Sequence, residues 1–186
     1  MKTSTLPPLT IADLDATPDD GNRYELIDGE MFVSSAPSFF HQFVLIRIVK
    51  AFILYLEKSP LGEIVPGVGV IFDDYNGVIP DLVFLTHERR RRIVGAGRLR
   101  AAPEIAIEIL SPGASNVRRD RNIKLNLYSA RGVGEYWIVD PEDRAVEIYR
   151  RGEGGLELFA SLRGADVLTS DILPGFAVAA AKFFAE

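Results

Sequence analysis

Apolar positions recur along the chain at two different spacings, which predict helices and strands in alternation. Over residues 38–58 the apolar side chains fall three and four residues apart, as on one face of a long helix. Asp28-Gly29 stands between two short apolar runs and predicts a two-residue hairpin turn. Short apolar runs that end at turn-forming residues predict strands at 62–65, 68–72, 82–85, 105–110 and 135–139.

Other segments have weaker but readable patterns. Ser115 or Asn116 can cap a helix that runs to about Arg131 and ends before Gly132, a residue type that favours helix ends. The remaining predicted elements are a short helix from residue 10, a loop or short helix over the basic segment 86–102, a strand hairpin over 145–160 and a short amphipathic helix over 175–186.

The order of these elements indicates the fold class. A long helix, a series of strands, a second helix and a further strand predict an α/β (α+β) fold with a mixed central sheet flanked by helices. An N-terminal hairpin and a C-terminal β-hairpin extension are expected at its two ends. Residues 1–9 are predicted to be a flexible tail, and residues 10–186 a single domain.

Composition narrows the possible chemistry. The chain has 186 residues, 47% of them hydrophobic and 25% charged, which suits a folded domain. The lack of cysteine excludes disulfides, thiolate metal sites and cysteine nucleophiles. Two histidines are too few for a histidine-rich zinc centre, so hard, oxygen-liganded ions such as Mg²⁺ or Mn²⁺ remain open.

Charge and hydropathy predict the surroundings of the protein. The N-terminus is polar and contains prolines, and no apolar run reaches the length expected of a membrane span. A cysteine-free chain also fits a reducing compartment. We therefore expect a cytoplasmic protein without a membrane partner. The net charge of −5 disfavours tight, indiscriminate binding of nucleic acid. Arginines are nonetheless clustered, and Arg118 and Arg121 are predicted to contact phosphate, whereas residues 89–92 fit a solvated face.

One glutamate stands in an unusual place. Glu108 lies inside the apolar strand 105–110, where an ionised carboxylate is costly unless it binds a metal, pairs with a cation or takes up a proton. Asp81 opens the apolar strand 82–85, and Lys124 lies on the following helix. If the two strands run antiparallel, both carboxylates meet at one end of the sheet. Two acids and a lysine so arranged are the parts of a metal-dependent phosphodiester-cleaving site.

Simpler roles are open for each of these residues. Glu108 can be neutralised by Lys124 or by a nearby arginine in a purely structural ion pair, and Asp81 can cap a turn. Glu25, in the N-terminal hairpin, is either a further acid of the site or an exposed residue. His41, in the first turn of the long helix, either assists proton transfer or serves helix capping and packing.

Several segments resemble a known family. They are residues 24–30 (YELIDGE), 80–82 (PDL), 108–112 (EILSP) and 128–140 (YSARGVGEYWIVD). On these segments the chain resembles the Uma-two family, restriction-endonuclease-like proteins of the PD-(D/E)xK nuclease superfamily, over roughly residues 10–180. The resemblance implies a core of a helix, three antiparallel strands, a helix and a further strand.

The resemblance also implies roles for individual residues. Asp81 matches the first acid of the superfamily motif and Glu108 the second, with the backbone carbonyl of Ile109 as a further metal ligand. The motif lysine is expected two residues after the second acid, where this chain has Leu110. In similar proteins the lysine stands on the next helix, and Lys124 occupies that place. Glu25 and His41 match positions that the family keeps acidic and histidine.

Three functions follow as hypotheses. The first is a Mg²⁺- or Mn²⁺-dependent endonuclease that acts on DNA as a homodimer. Its expected catalytic residues are Asp81, Glu108, Lys124 and His41, and its expected metal ligands are Asp81, Glu108, Glu25 and Ile109. The second is a catalytically degenerate nuclease fold that binds DNA or a protein partner. The third is a metal-independent, two-carboxylate hydrolase of sugars.

Overall fold

The computed structural model describes residues 7–185. Its helices are Ile11–Asp15 (α1), Phe39–Leu56 (α2), His87–Ile93 (α3), Ala114–Arg118 (α4), Leu125–Arg131 (α5) and Ala181–Phe184 (α6), with a π-helical turn at Arg119–Lys124. Its strands are Arg23–Ile27 (β1), Glu30–Ser34 (β2), Gly62–Pro66 (β3), Val70–Asp73 (β4), Asn76–Val78 (β5), Leu82–Thr86 (β6), Val94–Gly95 (β7), Arg98–Leu99 (β8), Ile105–Ile109 (β9), Glu135–Asp140 (β10), Ala145–Gly152 (β11), Gly155–Arg163 (β12), Val167–Thr169 (β13) and Ala177–Ala179 (β14).

A six-stranded sheet forms the centre of the fold. Its strand order is β3-β6-β9-β10-β11-β12, and all neighbours are antiparallel except the parallel pair β9 and β10. Helix α2 packs on one face and α5 on the other. The predicted mixed sheet flanked by helices, with a β-hairpin extension formed by β11 and β12, is confirmed.

The N-terminal hairpin belongs to a second sheet, of order β2-β1-β5-β4-β8-β7. Its turn is formed by Asp28 and Gly29, with φ angles of 50° and 75°, as the short turn of a twisted hairpin requires. Of the predicted N-terminal tail, residues 1–6 lie outside the described part of the chain. The N–H of Leu9 donates a hydrogen bond to the Gly29 carbonyl at 3.0 Å.

Buried apolar side chains form one cluster on each face of the central sheet. The cluster beneath α2 includes Phe52 and Trp137, and the cluster beneath α5 includes Tyr128 and Tyr136, all four of which are fully buried. Trp137 and Tyr136 are therefore packing residues of the core. Strand β9 is buried along its whole length, so Glu108 lies within a buried strand.

Helix α2 differs from expectation in one respect. Its 18 residues have a mean hydropathy of 1.7, which is long and apolar enough for a membrane span by length and composition alone. The expectation that no apolar run reaches this length is therefore wrong. A core helix passes the same test, and the buried residues of α2, including Val44, Ile48 and Phe52, lie against the central sheet.

Three predicted segments have a different structure. Residues 86–102 contain α3 followed by the small hairpin of β7 and β8. The predicted helix 115–131 begins at residue 114 and is interrupted by the π-helical turn. In the C-terminal segment, β14 pairs with β13 and only residues 181–184 are helical. The alanine, valine and phenylalanine residues of this segment are compatible with a helix or a strand, and pairing with β13 stabilises the strand.

Candidate active site

The register of β6 and β9 brings the two predicted acids together. The antiparallel ladder pairs Leu82 with Ile107, so the next residue along each strand puts Asp81 opposite Glu108. Directly opposite residues of an antiparallel pair project to the same face. Asp81 is 3% exposed and Glu108 2% exposed, so both carboxylates are buried at this end of the sheet. The predicted proximity of the two acids follows from this pairing.

The Asp81 carboxylate accepts hydrogen bonds from three directions. Arg23 Nη1 donates to Oδ1 at 2.8 Å, the Ile109 N–H donates to Oδ2 at 2.8 Å, and His41 Nε2 lies 3.1 Å from Oδ2. Burial alone would raise the pKa of Asp81, but the hydrogen bond and charge of His41, with the charge of Arg23, hold this pKa well below its ordinary value. Asp81 is therefore ionised.

His41 is oriented by this contact. An ionised carboxylate only accepts hydrogen bonds, so Nε2 carries the hydrogen in the 3.1 Å contact with Asp81. The other ring nitrogen, Nδ1, is buried and has no hydrogen-bond partner within residues 7–185. The backbone of the same residue is fixed by Ser38, whose Oγ accepts from the His41 N–H at the start of α2.

Glu108 lies in a different environment from Asp81. Lys124 Nζ donates to its Oε1 at 2.9 Å, and the Tyr128 hydroxyl donates to the same oxygen at 2.8 Å. Burial raises the pKa of Glu108 to about 8, because the lowering effect of Lys124 is opposed by the charges of Asp81, Asp120 and Glu25. Near neutral pH this carboxyl therefore holds a proton readily.

Lys124 is shared by three carboxylates. Its ammonium lies 2.8 Å from Glu25 Oε1, 2.9 Å from Glu108 Oε1 and 3.8 Å from Asp120 Oδ1, and it is 1% exposed. Burial would lower the pKa of Lys124, but the charges of Glu108, Glu25 and Asp120 raise it above its ordinary value. The ammonium therefore stays charged, and the other two acids around it, Glu25 and Asp120, add to the effect of burial in raising the pKa of Glu108.

Glu25 lies behind this cluster. Its Oε1 accepts from the Ile79 N–H at 2.7 Å as well as from Lys124, and the residue is 1% exposed. The hypothesis of an exposed hairpin glutamate is therefore wrong. Neither Glu25 nor Lys124 lines the open cleft described below, so both contact the site from inside the protein.

The π-helical turn contributes two residues, Asp120 and Arg119, that are not among the predicted site residues. It places Asp120 beside Lys124 and turns Arg119 toward Asp120, whose Oδ1 accepts from Arg119 Nε at 3.2 Å. The Tyr136 hydroxyl donates to the Asp120 carbonyl at 3.0 Å. π-Helical turns are frequent at functional sites. No hydrophobic period in the sequence marks the extra residue that such a turn contains.

An open cleft of about 370 Å³ gives access to the two acids. It is lined by Arg23, residues 33–38, His41, Asp81, Glu108, Ile109, Ser111, Pro112, Asn116, Arg119 and Asp120. Arg23 and Arg119 supply its cationic groups, and the pairing of Arg23 with a residue 58 positions away has no local signal in the sequence. Of the predicted phosphate contacts, Arg118 is exposed, and Arg121 forms ion pairs with Asp140 and Glu147.

The chain is similar to known proteins in sequence and in fold. Residues 11–181 match the family model Uma2, described as "Putative restriction endonuclease". The chain belongs to the Uma2 family. A crystal structure of "a putative nuclease belonging to DUF820" from Anabaena variabilis superposes with a TM-score of 0.76 at 18% sequence identity, covering 95% of this chain and 98% of that one. This likeness shows the nuclease-like fold. No curated protein has significant sequence similarity to the chain.

The donor set of this Uma2 protein fits a hard divalent cation. Within residues 7–185, no three histidine, aspartate or glutamate side chains converge as a ready-made metal site. Mg²⁺, however, is commonly bound by one or two carboxylates together with waters and substrate phosphates. Asp81 and Glu108 line the cleft, so two carboxylates face the space that such an ion and its waters would occupy.

Proposed function

We propose that the protein is a metal-dependent endonuclease that hydrolyses phosphodiester bonds in DNA. The observation that carries this proposal is the β6–β9 register, which continues from the Leu82–Ile107 pair to Asp81 opposite Glu108, with the Lys124 ammonium 2.9 Å from Glu108. Membership of the Uma2 family and the nuclease-like fold support the same reaction class.

Asp81, Glu108 and the Ile109 carbonyl would hold Mg²⁺ or Mn²⁺. When bound, such an ion polarises a phosphoryl oxygen and lowers the pKa of a water ligand. Asp81 suits this role because it is ionised, whereas Glu108 would have to give up its proton to hold the ion. We assign to Glu25, predicted as a further metal ligand, the role of holding Lys124, since its Oε1 is already engaged twice.

The cations around the cleft have complementary roles in this proposal. Lys124, which lies behind the cleft, compensates the charge of Glu108, and its positive charge would stabilise negative charge on the phosphoryl oxygens. Arg23 and Arg119 line the cleft and would receive the phosphate of the substrate. His41 fixes Asp81 through its Nε2 hydrogen. Each of these side chains contacts one of the two acids or lines the cleft.

The partners follow from the reaction. DNA is the substrate, and a homodimer would suit the cutting of two strands related by a two-fold axis. The β11–β12 hairpin exposes Leu158 and Phe159 and would be the contact surface for a second copy. We propose a cytoplasmic location, which suits the cysteine-free composition.

A non-catalytic, DNA-binding or partner-binding module is the second possibility. It is favoured by Arg23, whose guanidinium occupies Asp81 Oδ1, and by the net charge of −5. The presence of Leu110 at the expected lysine position does not argue for it, because Lys124 reaches Glu108 from the following helix. Such a module would bind its partner equally well after loss of Asp81.

Plasmid nicking with and without Mg²⁺ or Mn²⁺ tests the proposal. The wild type is compared with Asp81→Asn, Glu108→Gln and Lys124→Met, with Lys58→Met, an exposed lysine, as the matched control. We expect metal-dependent nicking that is lost in the first three variants and kept in the control. Nicking that persists in EDTA would instead point to the metal-independent hydrolase. Absence of nicking by folded wild type on several DNA substrates would favour the module.

A further inference from the structure

A second, smaller cavity of about 280 Å³ adjoins the cleft. The two share a wall formed by Ser38, His41, Ser111 and Pro112. The rest of the smaller cavity is lined by Phe40, Leu110, Val117, Asp140, Pro141 and Glu142. A ligand in the cleft therefore has a neighbouring space, one side-chain layer away, into which an adjacent chemical group can extend.

The chemistry of the second cavity differs from that of the cleft. Among the described residues that line it there is no lysine or arginine, whereas Asp140 and Glu142 bring carboxylates to its rim. Arg121, the cation next to Asp140, is already paired with Asp140 and Glu147. A phosphate is thus attracted to the cleft and disfavoured in the second cavity. An uncharged, partly apolar group fits there instead.

Phe40 supplies a flat wall that is held in place. Its ring lies 6.0 Å from that of Phe43 with an angle of 5° between the planes, and the Arg47 guanidinium lies 4.8 Å from the centre of the Phe43 ring. Phe40 is 38% exposed, so one part of its surface remains available to a ligand. Aromatic side chains of this kind are platforms on which nucleobases stack.

We propose that this cavity, here named the base pocket, binds the nucleobase next to the scissile phosphate. The inference rests on the proposed function, because it needs a nucleic-acid backbone in the cleft. A base within a duplex is stacked and paired, and it reaches such a pocket only when single-stranded or turned out of the helix. The preferred substrate is therefore DNA with an unpaired nucleotide at the cut site, such as a single strand, a bulge or a mismatch.

The test combines one side-chain truncation with removal of one base. Wild type, Phe40→Ala and the control Phe39→Ala are assayed on a single-stranded oligonucleotide and on copies with an abasic site at each position around the cut. Phe39 is a suitable control because it is 85% exposed and does not line the base pocket. Loss of one stacked base predicts a decrease in kcat/KM of about 5- to 150-fold for Phe40→Ala on the intact oligonucleotide.

The abasic substrates decide the interpretation. If the base pocket is correct, one abasic position lowers the rate of wild type by a similar factor, and Phe40→Ala has no further effect on that substrate. Val117→Phe, which fills the base pocket from another side, should reproduce the Phe40→Ala result. Equal effects of Phe40→Ala on intact and abasic substrates, or cleavage of intact duplex as fast as single strand, would overturn the inference.

Failure of the proposed function is distinguishable from failure of the base pocket. If wild type cuts no substrate, affinities for the same oligonucleotides are measured by fluorescence anisotropy in EDTA. Weaker binding by Phe40→Ala of the intact oligonucleotide alone would then support the base pocket in a non-cleaving protein. Absence of binding by wild type, or equal loss on intact and abasic oligonucleotides, would refute it.

Discussion

Replacement of Lys124 by methionine should destabilise the protein strongly. The substitution keeps the length and apolar stem of the side chain but removes the ammonium that lies within 2.9 Å of both Glu25 and Glu108. Removing one partner from a buried ion pair costs about 3–5 kcal/mol, because the remaining charge stays buried without compensation. For a domain of this size that corresponds to a decrease in melting temperature of about 6–20 °C.

The size of this loss should depend on pH. The folded-state pKa of Glu108 is about 8, above its ordinary value of 4.5, so its proton is kept on folding at mildly acidic pH. Protonation of Glu108 removes one of the carboxylate charges that the variant leaves without a partner. The free-energy difference between wild type and Lys124→Met should therefore be smallest near pH 5–6 and grow as the pH rises through 8.

Urea unfolding followed by the fluorescence of Trp137 gives the measurement. Trp137 is the single tryptophan of the chain and is fully buried, so its emission reports exposure of the core. Lys58→Met serves as the control for loss of a lysine at an exposed position. If Lys124→Met were as stable as this control at pH 9, or if its deficit were the same at pH 5 and pH 9, the reasoning would be refuted.

Three further predictions concern other residues. Because the folded-state pKa of Glu108 is raised, the free energy of unfolding of the wild type should fall by up to about 4 kcal/mol as the pH rises from about 5 to 8. Glu108→Gln should flatten this pH dependence in denaturant titrations. An unchanged pH dependence in the variant would contradict the raised pKa of Glu108. Arg23→Met should tighten Mn²⁺ binding several-fold in calorimetry, since the Arg23 guanidinium competes with the ion for Asp81 Oδ1. The control Arg98→Met, which breaks a surface ion pair with Asp15, should leave Mn²⁺ binding unchanged. Weaker Mn²⁺ binding by Arg23→Met would count against competition between the guanidinium and the ion. Phe52→Ala should cost about 3–5 kcal/mol in urea unfolding, because Phe52 is fully buried among Phe84, Trp137 and Phe176, and a cost under 1 kcal/mol would mean that this core is loosely packed.

The acids could be predicted from the sequence because local rules fix them. Glu108 is conspicuous in an apolar strand, and the side-chain period of two, with antiparallel pairing, is enough to bring Asp81 opposite it. Lys124 could be assigned to the following helix and considered as a partner of Glu108, but its distance from Glu108 could not be predicted. Its contact with Glu108 depends on how α5 packs against the sheet, which no local pattern encodes.

The cationic groups of the cleft could not be predicted, for a physical reason. Arg23 precedes its partner Asp81 by 58 residues and lies in a different sheet, so their contact is purely tertiary. Arg119 turns into the site through the π-helical turn, whose hydrogen-bond pattern leaves no periodic signal. Arg118 and Arg121 have the same local composition as Arg119 yet lie on other sides of the helix. The composition of the segment indicates an arginine cluster, but the backbone geometry determines that Arg119 is the arginine that reaches the cleft.

Lys124 and the two carboxylates lie on elements that are expected to differ in local stability. Both carboxylates belong to a sheet whose central strands are buried on both faces, whereas the lysine belongs to the short helical segment that begins at exposed residues 112–115. Segments with fewer buried contacts open more often than the core, without global unfolding. Transient fraying of this segment would withdraw the ammonium and leave both acids in position. Amide hydrogen exchange along residues 114–131 would thus measure how often the site is fully assembled.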